Sequence, residues 1–408
     1  MLSRTDLRAL LARLAPWLAP AMVVATVATI GHAVLMTAFE FHLLPGRLLN
    51  DFNAFHLVGE MVWRGDLLLA YHDESFFAAQ EEAFGMKAAF LWGYPPPYDL
   101  VVAALGLLPV WLAYGLFMSA TVAAYLVVLR ALAGERFALT LLAVLPALVD
   151  SVGTGQNGFL TGALIGWFLL AFRDGRGVAG LPLGLMVVKP HLGLAVGVLA
   201  LAAGRWRVLA LGALVAAALS AAATLAFGPA VWPAFLQGAA TMGDHLEIGK
   251  LRLSWMTSLY AALLSFGAPF EVAMALHVAF ALAVVALVVR AVRRGWRMHR
   301  VLGLCAFASA VASPYGYGYD LPILGLAVAL LMDDVVRLAT RQEQVLLLAL
   351  TWLVCAYAPF ASLYDPGIGG QRPPAVAGFL LPLILLAVAR LLWRAEARPR
   401  AATPAVAA

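Results

Sequence analysis

The residues best suited to chemistry lie between Glu40 and Tyr98, with Asp51 at the centre of Leu49-Asn50-Asp51-Phe52-Asn53-Ala54-Phe55-His56. The same stretch carries Glu40, Glu60, Asp66, Asp73, Glu74, Glu81 and Glu82, in a chain that is 63% hydrophobic and 12% charged. A carboxylate held at a membrane surface can serve as a general base. Apolar residues at helical spacing follow Asp51, at Phe52, Phe55, Leu57, Val58 and Met61. Two readings of Asp51 therefore stand side by side: a base presented by an amphipathic helix, or the side chain that caps that helix.

Further polar positions punctuate the apolar remainder. Tyr94-Pro95-Pro96-Pro97-Tyr98 is a stiff turn with three consecutive residues lacking a backbone donor, which offers Tyr94 as a substrate contact and the prolines as loop terminators. In Gly153-Thr154-Gly155-Gln156-Asn157-Gly158, the Gln156 and Asn157 amides both donate and accept, which suits sugar hydroxyls or phosphate oxygens as well as helix capping. Lys189-Pro190-His191 interrupts an apolar run. A cation at membrane depth is costly and faces a cavity or a partner, so Lys189, with His191 beside it, is a candidate for a lipid phosphate; an ion pair or a snorkelling lysine are the alternatives. His245, Lys250 and Arg252 supply cations in a later polar segment, and Tyr319-Asp320 closes the aromatic turn that begins at Ser313. No cluster has metal-ligand spacing, so no metal is expected.

These residues need a scaffold, and the composition specifies a membrane one. Mean hydropathy is +0.91. Apolar runs at 17–39, 111–130, 137–150, 158–172, 178–188, 191–203, 207–227, 270–290, 301–313, 320–332, 344–361 and 375–393 predict an all-α polytopic protein of about twelve transmembrane or re-entrant helices. The pair 178–188 and 191–203 is ambiguous between spanning and re-entrant, because Pro190 breaks it. With a cytoplasmic N-terminus, 20 of the 27 Lys and Arg residues fall on the inner side. This asymmetry follows the positive-inside rule and predicts a multi-pass protein of the cytoplasmic membrane, with both termini inside. It places a large first extracytoplasmic loop (40–98) and a second such segment (228–269) outside, within a single membrane domain at 1–394 followed by a disordered tail at 395–408.

The net charge of +5 does not indicate nucleic acid, because the basic residues are dispersed between spans; membrane lipids are the expected partners. Cys305 and Cys355 are far apart in apolar runs, which argues against a disulfide. No glycine-rich phosphate loop is present, and no soluble segment is large enough for a nucleotide fold.

Several of these stretches together resemble glycosyltransferase family 87. They are Asn50-Asp51-Phe52-Asn53-Ala54-Phe55, Arg64-Gly65-Asp66, Tyr71, Tyr94-Pro95-Pro96-Pro97, Leu107-Leu108-Pro109, Gly155-Gln156-Asn157, Lys189-Pro190-His191, Ser313-Pro314 and Tyr319-Asp320. The resemblance implies a GT-C-like fold and an inverting transfer of a sugar, with mannose the best-known one, from a polyprenyl-phosphate carrier to a lipid or glycan hydroxyl outside the membrane. It implies no cofactor beyond the donor, and it matches Asp51 to the family's first-loop acidic base. Asn50 stands where many GT-C enzymes have a second adjacent acid, so a metal-bridging pair is not implied. Two other classes compete: a lipid or glycan transporter or flippase, and a non-catalytic membrane scaffold using the acidic loop as a docking surface.

Overall fold

The computed structural model describes residues 27, 30–31, 33–35, 37–38, 43, 50–247, 251–362 and 373–397. Among these residues the regular structure is helical, and the one β contact is an isolated antiparallel bridge between Met256 and Tyr317. The region expected as the first loop is built of helices: α1 (Asp51–Arg64), α2 (Asp73–Phe84) and α3 (Pro96–Leu105). Then follow α4 (Val110–Ala133), α5 (Phe137–Thr154), α6 (Gly158–Arg173), α7 (Gly180–Leu185), α8 (Pro190–Ala202) and α9 (Trp206–Phe227). The second polar segment forms α10 (Val231–Glu247) and α11 (Leu259–Ser265). The chain ends in α12 (Phe270–Arg293), α13 (Met298–Val311), α14 (Pro322–Leu338), α15 (Arg341–Ser362) and α16 (Ala377–Glu396).

The apolar segments from 111 onward coincide with helices, but fewer than twelve have the length of a full crossing. Val110–Thr154, Trp206–Phe227, Phe270–Arg293, Arg341–Ala361 and Ala377–Glu396 are long and apolar enough to cross a membrane. Gly158–Arg173, Gly177–Val188, Pro190–Ala202 and Met298–Val311 are apolar but shorter. A hydrocarbon core of about 30 Å needs about 20 helical residues, and a helix of a dozen reaches little more than half of it.

The Pro190 break shows how the short helices are used. A Cβ on Gly193 would touch Met186 at 3.0 Å, and one on Gly197 would approach Leu183 at 3.9 Å. These pairings are symmetric about the break, so 177–202 folds back on itself as an antiparallel helical hairpin. Pro190 occupies the first turn of α8, where its missing N–H leaves no bond unmade. Lys189 is thereby placed at the hairpin tip.

Alternation of the helices sorts the polar residues into two ends. The turn at Gly155–Asn157, the tip at Lys189 and the turn at Ser313–Asp320 meet at one end. The arginine-rich connections meet at the other: Arg136 pairs with Asp333 at 2.8 Å, and Arg300 pairs with Asp334 at 2.6 Å and with Glu396 at 2.8 Å. Cys305 and Cys355 are buried and free.

Beneath the site, α1 and α3 cross with almost no space between their backbones. A Cβ on Gly59 would lie 2.1 Å from the Val102 carbonyl, and one on Gly106 would lie 2.3 Å from the Gly59 carbonyl carbon. Phe52 and Phe55 project from α1 into a cluster with Trp92, Tyr94, Tyr98, Tyr114 and Phe117, with ring centroids 5.4–6.5 Å from the two phenylalanines. This aromatic base fixes the rotation of α1 about its axis, and so the direction of Asp51.

Candidate active site

Asn50, not Asp51, caps α1. The Asn50 side chain accepts from the Phe52 amide at 3.0 Å, while the Asn53 side chain accepts from the Asn50 amide at 3.0 Å. The two asparagines satisfy the orphan donors of the helix start between them. Asp51 is the first helical residue, and its carboxylate is left to turn across to the next helices. There Gln156 Nε2 donates to Asp51 Oδ2 at 2.9 Å.

The Gln156 amide has only one workable orientation. Its Oε1 accepts from the Tyr94 hydroxyl at 3.1 Å and from the Asn157 backbone N–H at 3.2 Å. A backbone N–H can only donate, so Oε1 must face it and Nε2 must face the carboxylate. The stiff proline turn thus fixes Tyr94, Tyr94 fixes Gln156, and Gln156 fixes Asp51. Gly155 permits the close approach: it is left-handed at φ 66°, and a Cβ there would lie 2.6 Å from the Cβ of Phe52.

Asn157 faces the other way. Its Oδ1 accepts from Lys189 Nζ at 3.2 Å, and the same ammonium lies 2.6 Å from Asp320 Oδ1. Lys189 and Asp320 are 6% and 3% exposed, so this is a buried ion pair. Of the three readings of Lys189 drawn from the sequence, the ion pair is the one the geometry realises. Lys189 also lies 5.0 Å from the centre of the Tyr319 ring, which stacks on Tyr317 at 5.2 Å. The other oxygen of Asp320 accepts from the Tyr317 amide at 3.3 Å, holding the 317–320 turn closed.

The electrostatics follow from burial. Desolvation raises the Asp51 carboxyl above the ordinary carboxylate range, while the Gln156 hydrogen bond and the charges of Lys189 and Arg252 pull it back down. Burial also drives the hydroxyls of Tyr94 and Tyr319 well above their ordinary range, so both remain neutral donors. Arg252 stacks on Trp255 at 4.5 Å and contributes a positive charge within reach of Asp51.

The sequence-selected residues therefore converge in large part. Asp51, Tyr94, Gln156, Asn157, Lys189, Tyr319, Asp320 and Arg252 share one region. His191 follows the hairpin tip, and its Nε2 is buried without a hydrogen bond. Lys250 lies outside the described residues. His245 belongs to a different contact, hydrogen-bonded to Asp73 so that α10 is pinned to α2.

Sequence reasoning missed Asp99. Its carboxylate accepts from the Tyr71 hydroxyl at 2.6 Å and from Trp92 Nε1 at 3.1 Å, and Tyr71 also reaches the Tyr94 carbonyl at 3.0 Å. Asp99 is fully buried, and desolvation pushes its carboxyl up to about 8. A charged residue opening an apolar helix straight after Pro-Pro-Pro-Tyr was the available signal. Its role is to clamp the loop that carries Tyr94.

Among the described residues, no three His, Cys, Asp or Glu side chains converge to hold a metal ion. A separate apolar cavity, lined by Leu139, Phe307, Leu331, Val336 and Leu348, lies at the arginine end and shares no residue with this site.

Compared with known proteins, residues 92–314 match glycosyltransferase family 87. The chain belongs to glycosyltransferase family 87. The matched span includes Tyr94, Gln156, Asn157, Lys189 and Arg252, and it begins after Asp51 and ends before Asp320. No curated protein and no solved structure matches the chain. Family membership makes the protein a glycosyltransferase, and its apolar helices make it a membrane protein.

Proposed function

We propose that this glycosyltransferase moves a sugar, mannose in the first instance, from a polyprenyl-phosphate carrier to a hydroxyl of a lipid or glycan acceptor on the outer face of the cytoplasmic membrane. Asp51 is the general base. The observation that carries this reading is the direction of the Asp51 side chain: freed from capping by Asn50, it is held by Gln156 among the family-matched polar turns.

The reaction needs only one carboxylate. Glycoside hydrolysis calls for two because a departing alkoxide must be protonated. A phosphate leaves with its electron pair unaided by a proton, provided its charge is stabilised. Asp51 takes the proton of the acceptor hydroxyl as the oxygen attacks the anomeric carbon, and the bond from that carbon to the phosphate oxygen breaks with inversion. Base catalysis of this kind contributes about 10²- to 10⁴-fold.

Lys189 and Arg252, whose charges both act on Asp51, are the candidates to receive the phosphate. The short hairpin supports entry of the donor from within the bilayer. A carrier whose tail lies among the lipids needs a lateral opening between helices instead of a soluble pocket. The asymmetry of basic residues supports the outward facing of this end.

The test is transfer by the purified protein in lipid, from polyprenyl-phosphate mannose to a membrane-extract acceptor pool. Transfer by the wild type, with loss in Asp51→Asn at unchanged thermal stability, is the expected result. Equal activity in the variant would remove Asp51 as base. A transporter or scaffold would show no transfer with either protein.

A further inference from the structure

The apolar cavity at the arginine end takes no part in the reaction above. It holds about 180 Å³ between α5, α13, α14, α15 and α16. Its wall on α15 runs from Arg341 through Val345 and Leu348 to Thr351, which is about 15 Å of helix at 1.5 Å per residue. Its wall on α14 runs from Leu324 to Val336, about 18 Å. Each length is close to half of a hydrocarbon core of about 30 Å, the depth of a single leaflet. The cavity therefore has the proportions of one lipid chain.

It is open on one flank and charged at one end. Arg341 and Val345 stand one turn apart on α15, both line the cavity, and both are exposed, Val345 by 41%. Deeper in, Leu331 and Leu347 are buried. The mouth thus lies on the side of a helix long and apolar enough to cross the membrane, where the surrounding medium is lipid. A closed apolar cavity of about 150 Å³ stays dry and takes an apolar guest; one that opens into lipid has such a guest at its mouth.

The charges around the mouth select the headgroup. Arg136 and Arg337 both reach Asp333, at 2.8 and 3.5 Å. The Glu343 carboxylate, two residues on from Arg341, accepts instead from the backbone N–H and the hydroxyl of Thr340, at 2.9 and 3.1 Å. Among the described residues no carboxylate pairs with the Arg341 guanidinium, which stands at the arginine end of the apolar slot. A guanidinium fork matches the oxygens of a phosphate, and basic side chains at a membrane surface attract anionic lipids. We propose that this cavity is a binding site for an anionic membrane phospholipid: one acyl chain enters beside Val345 and lies between α14 and α15, and the headgroup phosphate pairs with Arg341.

The experiment reconstitutes the full chain in bilayers of equal parts phosphatidylglycerol and phosphatidylethanolamine with identical chains, extracts it in mild detergent, and reads the retained lipid by native mass spectrometry. The wild type should keep one phospholipid, with phosphatidylglycerol favoured about fivefold, the worth of one arginine facing an anionic headgroup. Arg341→Gln should keep a phospholipid and lose the preference. Val328→Phe, which fills the cavity from a half-buried position, should keep none, and added phosphatidylglycerol should raise the Tm of the wild type but not of this variant. Arg294→Gln removes an exposed arginine of the same end that does not line the cavity, and it should behave as the wild type.

If Val328→Phe does not fold, Val345→Trp closes the cavity from its exposed mouth and carries the same arm of the test. A wild type that keeps no phospholipid, or keeps both kinds equally, overturns the proposal. So does a preference lost to the same degree in Arg294→Gln and Arg341→Gln, or a filled cavity that retains as much lipid as the wild type. A retained mass matching a polyprenyl phosphate carried through from the cells also overturns it, since the cavity would then serve the donor. Sugar transfer is not measured at any point, so the outcome is independent of the role of Asp51.

Discussion

Gln156 Nε2 donates to Asp51 Oδ2 at 2.9 Å across 105 positions of chain, and the same amide is locked from behind by Tyr94 and the Asn157 N–H. The bond favours the ionised form of Asp51 against a desolvation that disfavours it.

The pH dependence of transfer follows from that opposition. A general base works only when ionised, so kcat/KM should climb with pH to a plateau, with its midpoint above the ordinary carboxylate range. Gln156→Met keeps the volume and removes the donor, so the acid limb should move further toward high pH, with the rate recovering at the alkaline end. A pH–rate profile of the two proteins checks this. A limb that does not move would mean that Gln156 holds something other than the base.

The buried pair of Lys189 and Asp320 yields to a double-mutant cycle. Lys189→Met should lower stability by about 3–5 kcal/mol, because Asp320 is left buried without its countercharge. Adding Asp320→Leu should recover most of the lost Tm. If the pair serves only to hold the hairpin tip against the 317–320 turn, activity should return with stability. A stable but inactive double variant would give the pair a part in transfer beyond holding the tip.

Much of this site was legible in the sequence, because polar residues in an apolar chain are conspicuous and few. Asp51, Gln156, Asn157, Lys189 and Asp320 stood out for that reason, and the fold brings them together. What the sequence did not reveal was how the neighbours are divided. Asn50 and Asp51 are both good caps, and only the aromatic packing of Phe52 and Phe55 decides which one faces the helix start and which one faces Gln156. Asp99 was hidden because its partners, Tyr71 and Trp92, lie on either side of α2 and come together only in the folded loop. Among the described residues five helices have the length of a crossing and four apolar ones are shorter, because hydropathy marks an apolar run without fixing where the helix breaks, as it does at Pro190.

The Asp99 clamp should make the stability of the outer helices depend on pH. Its carboxyl is raised from 3.8 to about 8 in the folded protein, so the folded state holds the proton more tightly than the unfolded chain does. The corresponding stabilisation is complete below about pH 4 and is lost as pH rises through about 8. The Tm should therefore fall over that window. In Asp99→Asn, which cannot ionise, the fall should be shallower. Calorimetry of both proteins in nanodiscs across pH 4–8 reads the difference directly, and parallel curves would show that Asp99 stays ionised between Tyr71 and Trp92.

Gly158 sets the distance between α6 and the 317–320 turn, and a single methyl should show it. A Cβ at Gly158 would lie 1.8 Å from the Tyr319 carbonyl oxygen, a backbone atom that no side-chain rotation can remove. Ser151 binds the same carbonyl from α5 at 3.2 Å, so the turn cannot withdraw without giving up that bond. Gly158→Ala should therefore push the turn away from α6, stretching the 2.6 Å contact from Lys189 to Asp320. We expect a stability loss of about 1–3 kcal/mol, typical of overpacking, together with a large loss of transfer. Gly177→Ala is the control, since a Cβ there meets nothing within 4 Å. Equal Tm and equal activity in the two alanine variants would show that the turn moves freely, and that the closeness of α6 to Tyr319 has no part in shaping the site.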